Sequence, residues 1–335
     1  MLYRTLLRPP LFLLPAERAH DLALGGAKLL ARSHTLAGAM HVLARPKPHP
    51  VSLLGLTFPN PIGLAAGMDK NGIAPMAWWA FGFGFAELGT VTPVAQIGND
   101  KPRMFRYKAE AALVNRMGFN NGGAEALAER LRLQAASGLR PAFPIGISVG
   151  KNKNTLAELA ADDFIRAAEI VAPQADFLTV NVSSPNTEGL RALQNADDLR
   201  RIVRGVRAVA GGKPVLVKIA PELGEDVLRA VLETALAEGA AGIIATNTLS
   251  TADKPNREQG GESGAPLREI ALRKVEQVRR LVGPEPALIG CGGIDSAASA
   301  QAMLDAGANL VHLYTALVYE GPFLPATITR GLRLS

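Results

Sequence analysis

The segment Asn181–Asn186 places an amide side chain on either side of two hydroxyls, Ser183 and Ser184. It follows the apolar run Phe177–Val180, which is typical of a buried parallel strand. Pro185 ends the run, because proline cannot continue a sheet. Amides and hydroxyls offer donors and acceptors to a polar ligand. The same residue types also form ordinary turns, so a polar turn without a ligand is the alternative interpretation.

Two lysines also stand at or near the ends of apolar runs. Lys218 follows Val215–Val217, and Lys70 comes shortly after Ile62–Ala66. In a parallel barrel such lysines would lie at the mouth, so we favour a functional role over a solvated surface charge. Four side-chain amides could supply matched donors and acceptors to a planar substrate: Asn115, Asn181, Asn186 and Asn247.

Glycines and small polar residues follow the last two predicted strands. Gly292–Gly293 precedes a helix with Ser296 as its N-cap, and Thr315 follows the final strand. This is the usual place of a phosphate site in a barrel. We find no arrangement typical of a catalytic triad, a carboxylate pair or a metal cluster. Redox chemistry supplied by a phosphate-bearing planar cofactor explains this shortage of protein acids and bases.

Eight apolar runs alternate with helical stretches, which predicts a (β/α)8 TIM barrel. The predicted strands are Ile62–Ala66, Phe85–Val91, Pro144–Val149, Phe177–Asn181, Pro214–Ile219, Gly242–Thr246, Ala287–Gly290 and Leu310–Leu313. The clearest predicted helices are Glu225–Glu238, Pro266–Leu281 and Ala297–Ala306. A small hairpin is predicted over Val51–Phe58. The competing fold, a doubly wound open sheet, normally has a glycine fingerprint after its first strand, whereas Gly82–Phe85 precedes a strand.

The composition indicates a folded protein with an uneven charge distribution. Of 335 residues, 48% are hydrophobic and 20% are charged, so a large core is possible. The single cysteine, Cys291, cannot form an internal disulfide and fits a reducing compartment; we interpret it as a small buried residue. Residues 1–49 hold +5 of the net charge of +6, and four of the five histidines. The near-neutral remainder argues against nucleic-acid binding; we interpret the fifth histidine, His312, as structural.

The basic N-terminal segment contains an amphipathic helix predicted to begin near Pro15. Its apolar face consists of Ala19, Leu22, Ala23, Gly26, Leu29 and Leu30, and its charged face of Arg18, Asp21, Lys28 and Arg32. Such a helix either packs on its own domain or lies on a membrane surface. The run Leu11–Leu14 is too short to cross a bilayer, and no signal-peptide cleavage site follows it. The Pro-rich stretch Arg45–Pro50 is typical of a stiff linker. We therefore predict a helical extension, residues 1–45, and a barrel domain, residues 46–335.

From about Pro59 onward the sequence resembles the FMN-dependent dihydroorotate dehydrogenases, and its extension resembles that of their membrane-associated, quinone-linked class. Six motifs carry the resemblance: Ala66–Lys70, Asn115–Phe119, Asn181–Asn186, Lys218–Pro221, Ala245–Thr248 and Gly292–Ile294. The resemblance implies oxidation of (S)-dihydroorotate to orotate in pyrimidine synthesis. The C5 proton would go to a base and the C6 hydride to flavin N5.

The same resemblance implies that Ser184 is the base. The soluble class has cysteine at this position, so the serine places the chain in the quinone class. Serine is a weak base at its free pKa, and its proton must move on through water or a neighbouring group. Lys218 is expected to stabilise negative charge near flavin N1.

The resemblance also implies two overlapping sets of binding residues. The positions that match orotate contacts are Lys70, Asn115, Arg116, Met117, Gly118, Phe119, Asn181, Asn186, Asn247 and Thr248. The positions that match FMN contacts are Ala66, Gly67, Met68, Asp69, Lys70, Thr90, Ser148, Asn181, Lys218, Thr246, Gly264, Gly293, Tyr314 and Thr315. Ser148 departs from the asparagine that the family usually has. Its shorter hydroxyl lacks the amide donors, and a water could fill the gap.

For the rest of the molecule, the resemblance implies one FMN, no metal, and ubiquinone or menaquinone as the acceptor. A helical pair would form the mouth of an apolar quinone tunnel, and its basic face would suit anionic lipid headgroups. The expected protein is a monomer without nucleic-acid partners, attached peripherally to the cytoplasmic face of the cell membrane. A tRNA dihydrouridine synthase is the alternative enzyme, but it would need a basic body and a C-terminal RNA-binding domain. A membrane-surface adaptor would explain the extension but not the polar strand ends.

Overall fold

The computed structural model describes residues 2–186 and 189–333. At its centre, eight parallel strands close into a barrel in which each strand pairs with the next along the chain and the last pairs with the first. The barrel strands are Ile62–Leu64, Phe85–Val91, Ile145–Val149, Phe177–Asn181, Val215–Ile219, Gly242–Ala245, Ala287–Cys291 and Leu310–Leu313. This closed sheet confirms the predicted (β/α)8 barrel over the open, doubly wound alternative.

The amino end of the barrel is filled by aromatic side chains. Phe85 and Phe177 lie inside it with their ring centroids 6.4 Å apart. Two glycines make room for them, since a Cβ at Gly63 would lie 2.1 Å from the Phe85 ring and one at Gly146 would lie 2.1 Å from the Phe177 ring. Because these rings fill the barrel at its amino end, a ligand inside the barrel must enter from the carboxyl end of the strands.

Helices cover the outside of the barrel and form the N-terminal extension. The extension consists of a π-helical turn at Tyr3–Leu7, α1 (Arg8–Leu13), α2 (Ala16–Leu30) and α3 (His34–Ala44). The barrel helices are α4 (Pro75–Ala80), α5 (Ala124–Ala136), α6 (Ala160–Val171), α7 (Ala196–Val209), α8 (Glu225–Ala237), α9 (Arg268–Val282), α10 (Ala297–Asp305), α11 (Thr315–Glu320) and α12 (Leu324–Gly331). Ser296 caps α10 as predicted, because its hydroxyl accepts a hydrogen bond from the Ser299 N–H.

Several predicted element bounds differ from the observed ones by one or two residues. The first barrel strand ends at Leu64 rather than Ala66, because the chain then turns toward the barrel mouth through Gly67, whose φ is 100°. The predicted helix Pro266–Leu281 begins instead with a 3-10 turn at Ala265–Leu267, followed by α9.

Two antiparallel sheets lie outside the barrel. The predicted hairpin is confirmed as the pair Val51–Leu53 and Leu56–Phe58. A second sheet, not predicted from the sequence, has the strand order Leu249–Ser250, Gly261–Gly264, Ala112–Asn115 and Met104–Tyr107. Its strands belong to the long excursions after the second and sixth barrel strands. We call it the upper sheet, since it lies at the carboxyl end of the barrel.

The N-terminal extension packs against α4 on one side of the barrel. The His41 ring stacks on Trp79 with 4.2 Å between centroids, and its Nδ1 lies 2.9 Å from the Trp79 carbonyl oxygen. The predicted apolar face of α2 is only partly packed, since Leu22 and Leu29 are 60% and 65% exposed. Among the described residues, no helix is both long enough and apolar enough to cross a membrane.

Candidate active site

A cavity opens at the carboxyl ends of the barrel strands, next to the upper sheet. Together with the open solvent at its mouth, the empty space of this cavity is about 1230 Å³. The predicted site residues that line it are Ala66, Gly67, Lys70, Thr90, Asn115, Met117, Gly118, Phe119, Asn181, Ser184, Asn186, Lys218, Thr246, Asn247, Thr248, Gly264, Gly293, Tyr314 and Thr315. The cavity thus gathers residues from the carboxyl ends of every barrel strand except the third, or from the segments that follow them.

Four predicted site residues lie outside the cavity lining: Met68, Asp69, Ser148 and Arg116. The fully buried carboxylate of Asp69 accepts hydrogen bonds from the N–H groups of Ile73 and Ala74 at 2.8 and 2.9 Å. It also accepts one from the Trp78 indole at 3.1 Å. Asp69 therefore holds the loop after the first strand in shape, and Met68 belongs to the hydrophobic core.

The side chains of Ser148 and Arg116 contact other protein residues and do not line the cavity. The Ser148 hydroxyl is fully buried, 2.8 Å from Thr90 Oγ1, so the hydroxyl that reaches the cavity here belongs to Thr90. The Arg116 guanidinium pairs with Glu258 at 3.1 Å and lies 4.9 Å from the centroid of the Phe105 ring. Both residues support the wall of the cavity from behind.

Asn181 is the centre of an amide network in the cavity. Its Nδ2 donates to Thr90 Oγ1 at 2.8 Å, and its Oδ1 accepts from Asn247 Nδ2 and from Ser183 Oγ, both at 3.2 Å. Asn247 Oδ1 in turn accepts from the Thr248 N–H at 2.7 Å. These bonds fix the orientation of both amides, so each presents a defined edge to a ligand.

Ser184 lies deep in the same cavity and is only 6% exposed. Its Oγ accepts a hydrogen bond from the Asn186 N–H at 3.2 Å, and Asn186 Nδ2 donates to Asn115 Oδ1 at 3.2 Å. No carboxylate or imidazole is hydrogen-bonded to Ser184 within residues 2–186 and 189–333. A backbone donor on the hydroxyl oxygen favours its ionised form, which helps an otherwise weak base.

Lys70 is a cation whose protonation changes close to neutral pH. Its Nζ donates to Asn120 Oδ1 at 2.9 Å. Burial and the neighbouring Arg103 guanidinium lower the pKa of Lys70 to about 8, despite the opposing charges of Glu17 and Asp21. Lys70 is therefore mostly protonated at pH 7 and mostly neutral at pH 9.

Lys218 lies close to the buried side chain of Glu87, a residue that was not predicted from the sequence to belong to the site. Its Nζ lies 3.7 Å from Glu87 Oε2, and both side chains are almost completely buried. Burial acts to lower the pKa of Lys218, but the charges of Glu87 and Cys291 and the hydrogen bond to Glu87 together outweigh burial and raise the pKa, so the ammonium is retained. His312 Nδ1 lies 3.6 Å from the same Glu87 oxygen. Burial lowers the pKa of His312 to about 4, so its ring is neutral at pH 7.

The glycine turn after the seventh strand and the start of α11 form another part of the cavity lining. Gly292 and Gly293 have φ values of 136° and 69°, and a Cβ on Gly293 would lie 2.4 Å from the Arg268 Cα. Nearby, Thr315 Oγ1 donates to Ser263 Oγ at 2.8 Å. A glycine turn of this shape exposes backbone N–H groups, which suit a phosphate.

Other residues line the cavity besides the predicted FMN and orotate contacts, and of these only Gly292 was assigned to a ligand site from the sequence, as part of the phosphate turn. They are Ala65, Ala111, Ser263, Ala265, Leu267, Cys291, Gly292, Ile294, Asp295, His312, Ala316, Tyr319 and Glu320. Most are close neighbours of predicted positions, which was the available signal. Cys291 and His312, which we interpreted as structural, both face the cavity, and burial raises the pKa of the Cys291 thiol. In the part of the chain that the structure describes, no three His, Cys, Asp or Glu side chains are placed to hold a metal ion.

Comparison with known proteins places these residues in a family context. Residues 50–334 match the family model described as dihydroorotate dehydrogenase. A Prochlorococcus marinus protein named dihydroorotate dehydrogenase (quinone) is 49% identical over 294 residues, which cover 84% of this chain and 75% of that protein. A Chloroflexus aurantiacus protein with the same name is 44% identical over 354 residues, which cover 99% of this chain and 96% of that protein.

Solved structures extend the similarity to three dimensions. The crystal structure of DHODH from Eimeria tenella in complex with ferulenol has a TM-score of 0.82 and 34% identity, covering 94% of this chain and 90% of that one. The ligand-free form from the same organism has a TM-score of 0.80 and 34% identity, covering 88% of this chain and 92% of that one.

Proposed function

Because this chain belongs to the dihydroorotate dehydrogenase family, we propose that its cavity binds FMN and dihydroorotate side by side, with Ser184 as the base. The chain oxidises (S)-dihydroorotate to orotate in pyrimidine synthesis and passes the electrons to a quinone. The observation that carries the assignment of the site is one cavity that contains the Ser184 hydroxyl, the Asn181 amide network and the buried Lys218 cation.

The residues present fit FMN. The turn Gly292–Gly293 and the start of α11 suit its phosphate, and Lys218 is an ammonium held in place by Glu87. When bound, FMN supplies the hydride-accepting chemistry that side chains lack. The proposed contacts are Ala66, Gly67, Lys70, Thr90, Asn181, Lys218, Thr246, Gly264, Gly293, Tyr314 and Thr315. Met68, Asp69 and Ser148 support these contacts from behind the lining.

The remaining lining residues suit the substrate. We assign its carboxylate and amide groups to Lys70, Asn115, Asn181, Asn186, Asn247 and Thr248, with Met117–Phe119 closing one side and Arg116 bracing them from outside. Ser184 takes up the C5 proton while its own hydroxyl proton moves on to water or a neighbouring group. The Asn186 N–H stabilises the partial negative charge on the serine oxygen as that hydroxyl proton leaves. The low exposure of Ser184 keeps water from competing for this position.

We further propose that residues 1–45 bring the quinone to the cavity and hold the enzyme at the cytoplasmic face of the membrane. Among the described residues, nine of the sixteen exposed large hydrophobic side chains lie between Leu2 and Leu43. Residues 1–49 also carry most of the net positive charge. Apolar and basic surface together favour peripheral attachment to anionic lipids. The acceptor would be ubiquinone or menaquinone, and the working unit a monomer.

Orotate formation under anaerobic conditions tests the proposed function. The purified chain should contain FMN, and continued conversion of dihydroorotate to orotate should require added quinone. Orotate is followed by its ultraviolet absorbance, and FMN by its visible spectrum. A protein purified without flavin, or one that forms no orotate with either quinone, would contradict the proposal.

A further inference from the structure

We infer that Arg191 positions the loop that carries Ser184 by tying together three loops at the rim of the barrel. This inference rests on the proposed function, because it takes Ser184 to be the base. Arg191 lies in a 3-10 turn, Leu190–Gln194, that follows the loop. It does not line the cavity itself, so it acts on the site only through the groups that it holds.

Each nitrogen of the Arg191 guanidinium contacts a different loop. Nε donates to the Ser183 carbonyl at 3.1 Å, after the fourth barrel strand. Nη2 donates to the Thr248 carbonyl at 3.0 Å, after the sixth strand. Nη1 pairs with Glu222 Oε1 at 3.0 Å, after the fifth strand. Glu222 is itself fixed, since its Oε1 accepts from the Ser250 N–H at 2.5 Å.

Two of these contacts are next to the chemistry. Ser183 precedes the proposed base, and its hydroxyl also donates to Asn181 Oδ1 at 3.2 Å. The Thr248 N–H donates to Asn247 Oδ1, so a shift of the Thr248 backbone would turn an amide that we assign to the substrate. Arg191 therefore sets the distance between the base and the groups that orient the substrate.

Only an arginine can make this set of contacts. Its planar guanidinium projects donors in a fixed fork, whereas a lysine ammonium is a single point charge on a flexible stem. An Arg191→Lys substitution keeps the positive charge and loses the simultaneous bonds. A shift of about 1 Å in a reacting group can cost roughly 100-fold in rate, so geometry rather than charge should decide the result.

The test is rapid anaerobic mixing of the FMN-loaded parent and Arg191→Lys with dihydroorotate, with and without deuterium at C5. We expect bleaching of the flavin absorbance to slow between about 10-fold and 100-fold, with a larger C5 deuterium isotope effect, because a misplaced base makes proton removal more limiting. Recovery of the absorbance on adding quinone should not change. A loss caused only by partial unfolding would reduce the amplitude and leave the isotope effect as in the parent.

Arg204→Lys is the matched control. Arg204 also uses its guanidinium to hold a fixed partner, since two of its nitrogens contact Glu238 at 2.9 and 3.3 Å, but this pair lies on the outer surface. Its substitution should leave both rates unchanged. If Arg191→Lys fails to fold, Glu222→Gln is the variant that tests the inference. It should slow flavin bleaching less than Arg191→Lys would, and it should also enlarge the C5 deuterium isotope effect. Parental rate and isotope effect in Arg191→Lys would overturn the inference, whereas a parent that does not respond to dihydroorotate would overturn the proposed function instead.

Discussion

The pKa values of two lysines that line the cavity are shifted in opposite directions. Burial and the Arg103 guanidinium lower the pKa of Lys70 to about 8. Burial also acts to lower the pKa of Lys218, but Glu87 and Cys291 together outweigh burial and raise that pKa. Lys218 is therefore a permanent cation, whereas Lys70 can lose its charge within the pH range in which enzymes are assayed.

Orotate binding should weaken as the pH rises through the pKa of Lys70. If the protonated lysine holds the orotate carboxylate, affinity should fall about tenfold between pH 7 and pH 9, because the charged fraction falls by that factor around a pKa of about 8. The dissociation constant can be followed by the change in flavin absorbance on orotate binding. Lys70→Met should bind orotate weakly, and its dissociation constant should not change with pH in this range. The same pH dependence of the dissociation constant in parent and variant would exclude Lys70 as the titrating group.

The direction of a side chain was the least predictable property at this scale. The sequence shows that Thr90 and Ser148 lie near the carboxyl ends of apolar strands and that Asp69 follows one, so all three could face a ligand on that basis. In the structure the Asp69 carboxylate accepts hydrogen bonds from two N–H groups of its own loop and from the indole of Trp78 on α4, and Ser148 lies behind Thr90. Such choices depend on partners from other elements, which a single sequence does not reveal.

At the scale of elements, the barrel strands, which are buried on both faces, and the local hairpin were predictable, whereas the upper sheet was not. The eight barrel strands are nearly continuous apolar runs because they pack against helices outside and side chains inside. The upper sheet has short strands of mixed character, such as Gly261–Gly264 paired with Ala112–Asn115. Its pairing joins segments far apart in the chain, so no local pattern predicts it, although it carries Asn115 and Gly264 into the site.

Glu17 joins the N-terminal extension to the excursion after the second barrel strand through ion pairs with Arg103 and Lys101. Glu17 on α2 accepts from Arg103 Nη2 at 2.8 Å and Nε at 3.1 Å. Arg103 Nη1 donates to the Asn99 carbonyl at 2.9 Å, and Asn99 Nδ2 donates to the Asn186 carbonyl at 3.1 Å. The extension thus supports the catalytic domain physically, even though we propose a separate role for it in quinone and membrane binding.

Glu17→Ala should destabilise the whole protein. The Glu17 and Arg103 side chains are only 14% and 7% exposed, and removal of one member of a buried pair costs about 3 kcal/mol or more. Burial would raise the pKa of Glu17, but Arg103 holds it below its ordinary value of 4.5. The stabilisation is therefore full above pH 4.5 and should be lost as the pH falls through the lower, folded-state pKa.

Denaturant unfolding at pH 7 and at lower pH measures this effect. Glu129→Ala is the control, because its partner Arg132 is on the same exposed face of α5, and the free energy of unfolding should not change measurably. A Glu17→Ala variant as stable as the parent at pH 7 would mean that the extension is not anchored through this pair.

At the scale of the whole molecule, charge and exposed apolar surface are concentrated at one end of the chain. The charge imbalance and the amphipathic pattern were both predictable from composition and helical spacing. The outward direction of the leucines was not, because such a helix usually packs on its own domain. In the structure Leu22, Leu29 and Leu36 are each about 60% exposed.

Substitution of these three leucines by glutamine in the full chain should weaken binding to anionic vesicles by more than about tenfold. The reason is that even partial burial of three leucines in lipid exceeds the 1.4 kcal/mol that corresponds to tenfold. The same changes at Leu133, Leu156 and Leu159, which are also about half exposed or more, should have no effect. Binding is measured by co-sedimentation, and in the parent it should fall with added salt. Equal vesicle binding by both triple variants would contradict the proposal that the extension is the membrane-binding surface.

The most direct test of the central claim is the rate at which dihydroorotate bleaches the flavin absorbance in the parent, in Ser184→Ala and in Ser184→Cys. Measured anaerobically, the parent should respond rapidly. Ser184→Ala should retain FMN and be slower by about 10² to 10⁴-fold, the usual contribution of a general base. Ser184→Cys should keep part of the rate, because a cysteine thiolate can also accept the proton. Recovery of absorbance with quinone should be the same in all three. A Ser184→Ala variant that bleaches within tenfold of the parental rate would contradict the assignment of Ser184 as the base.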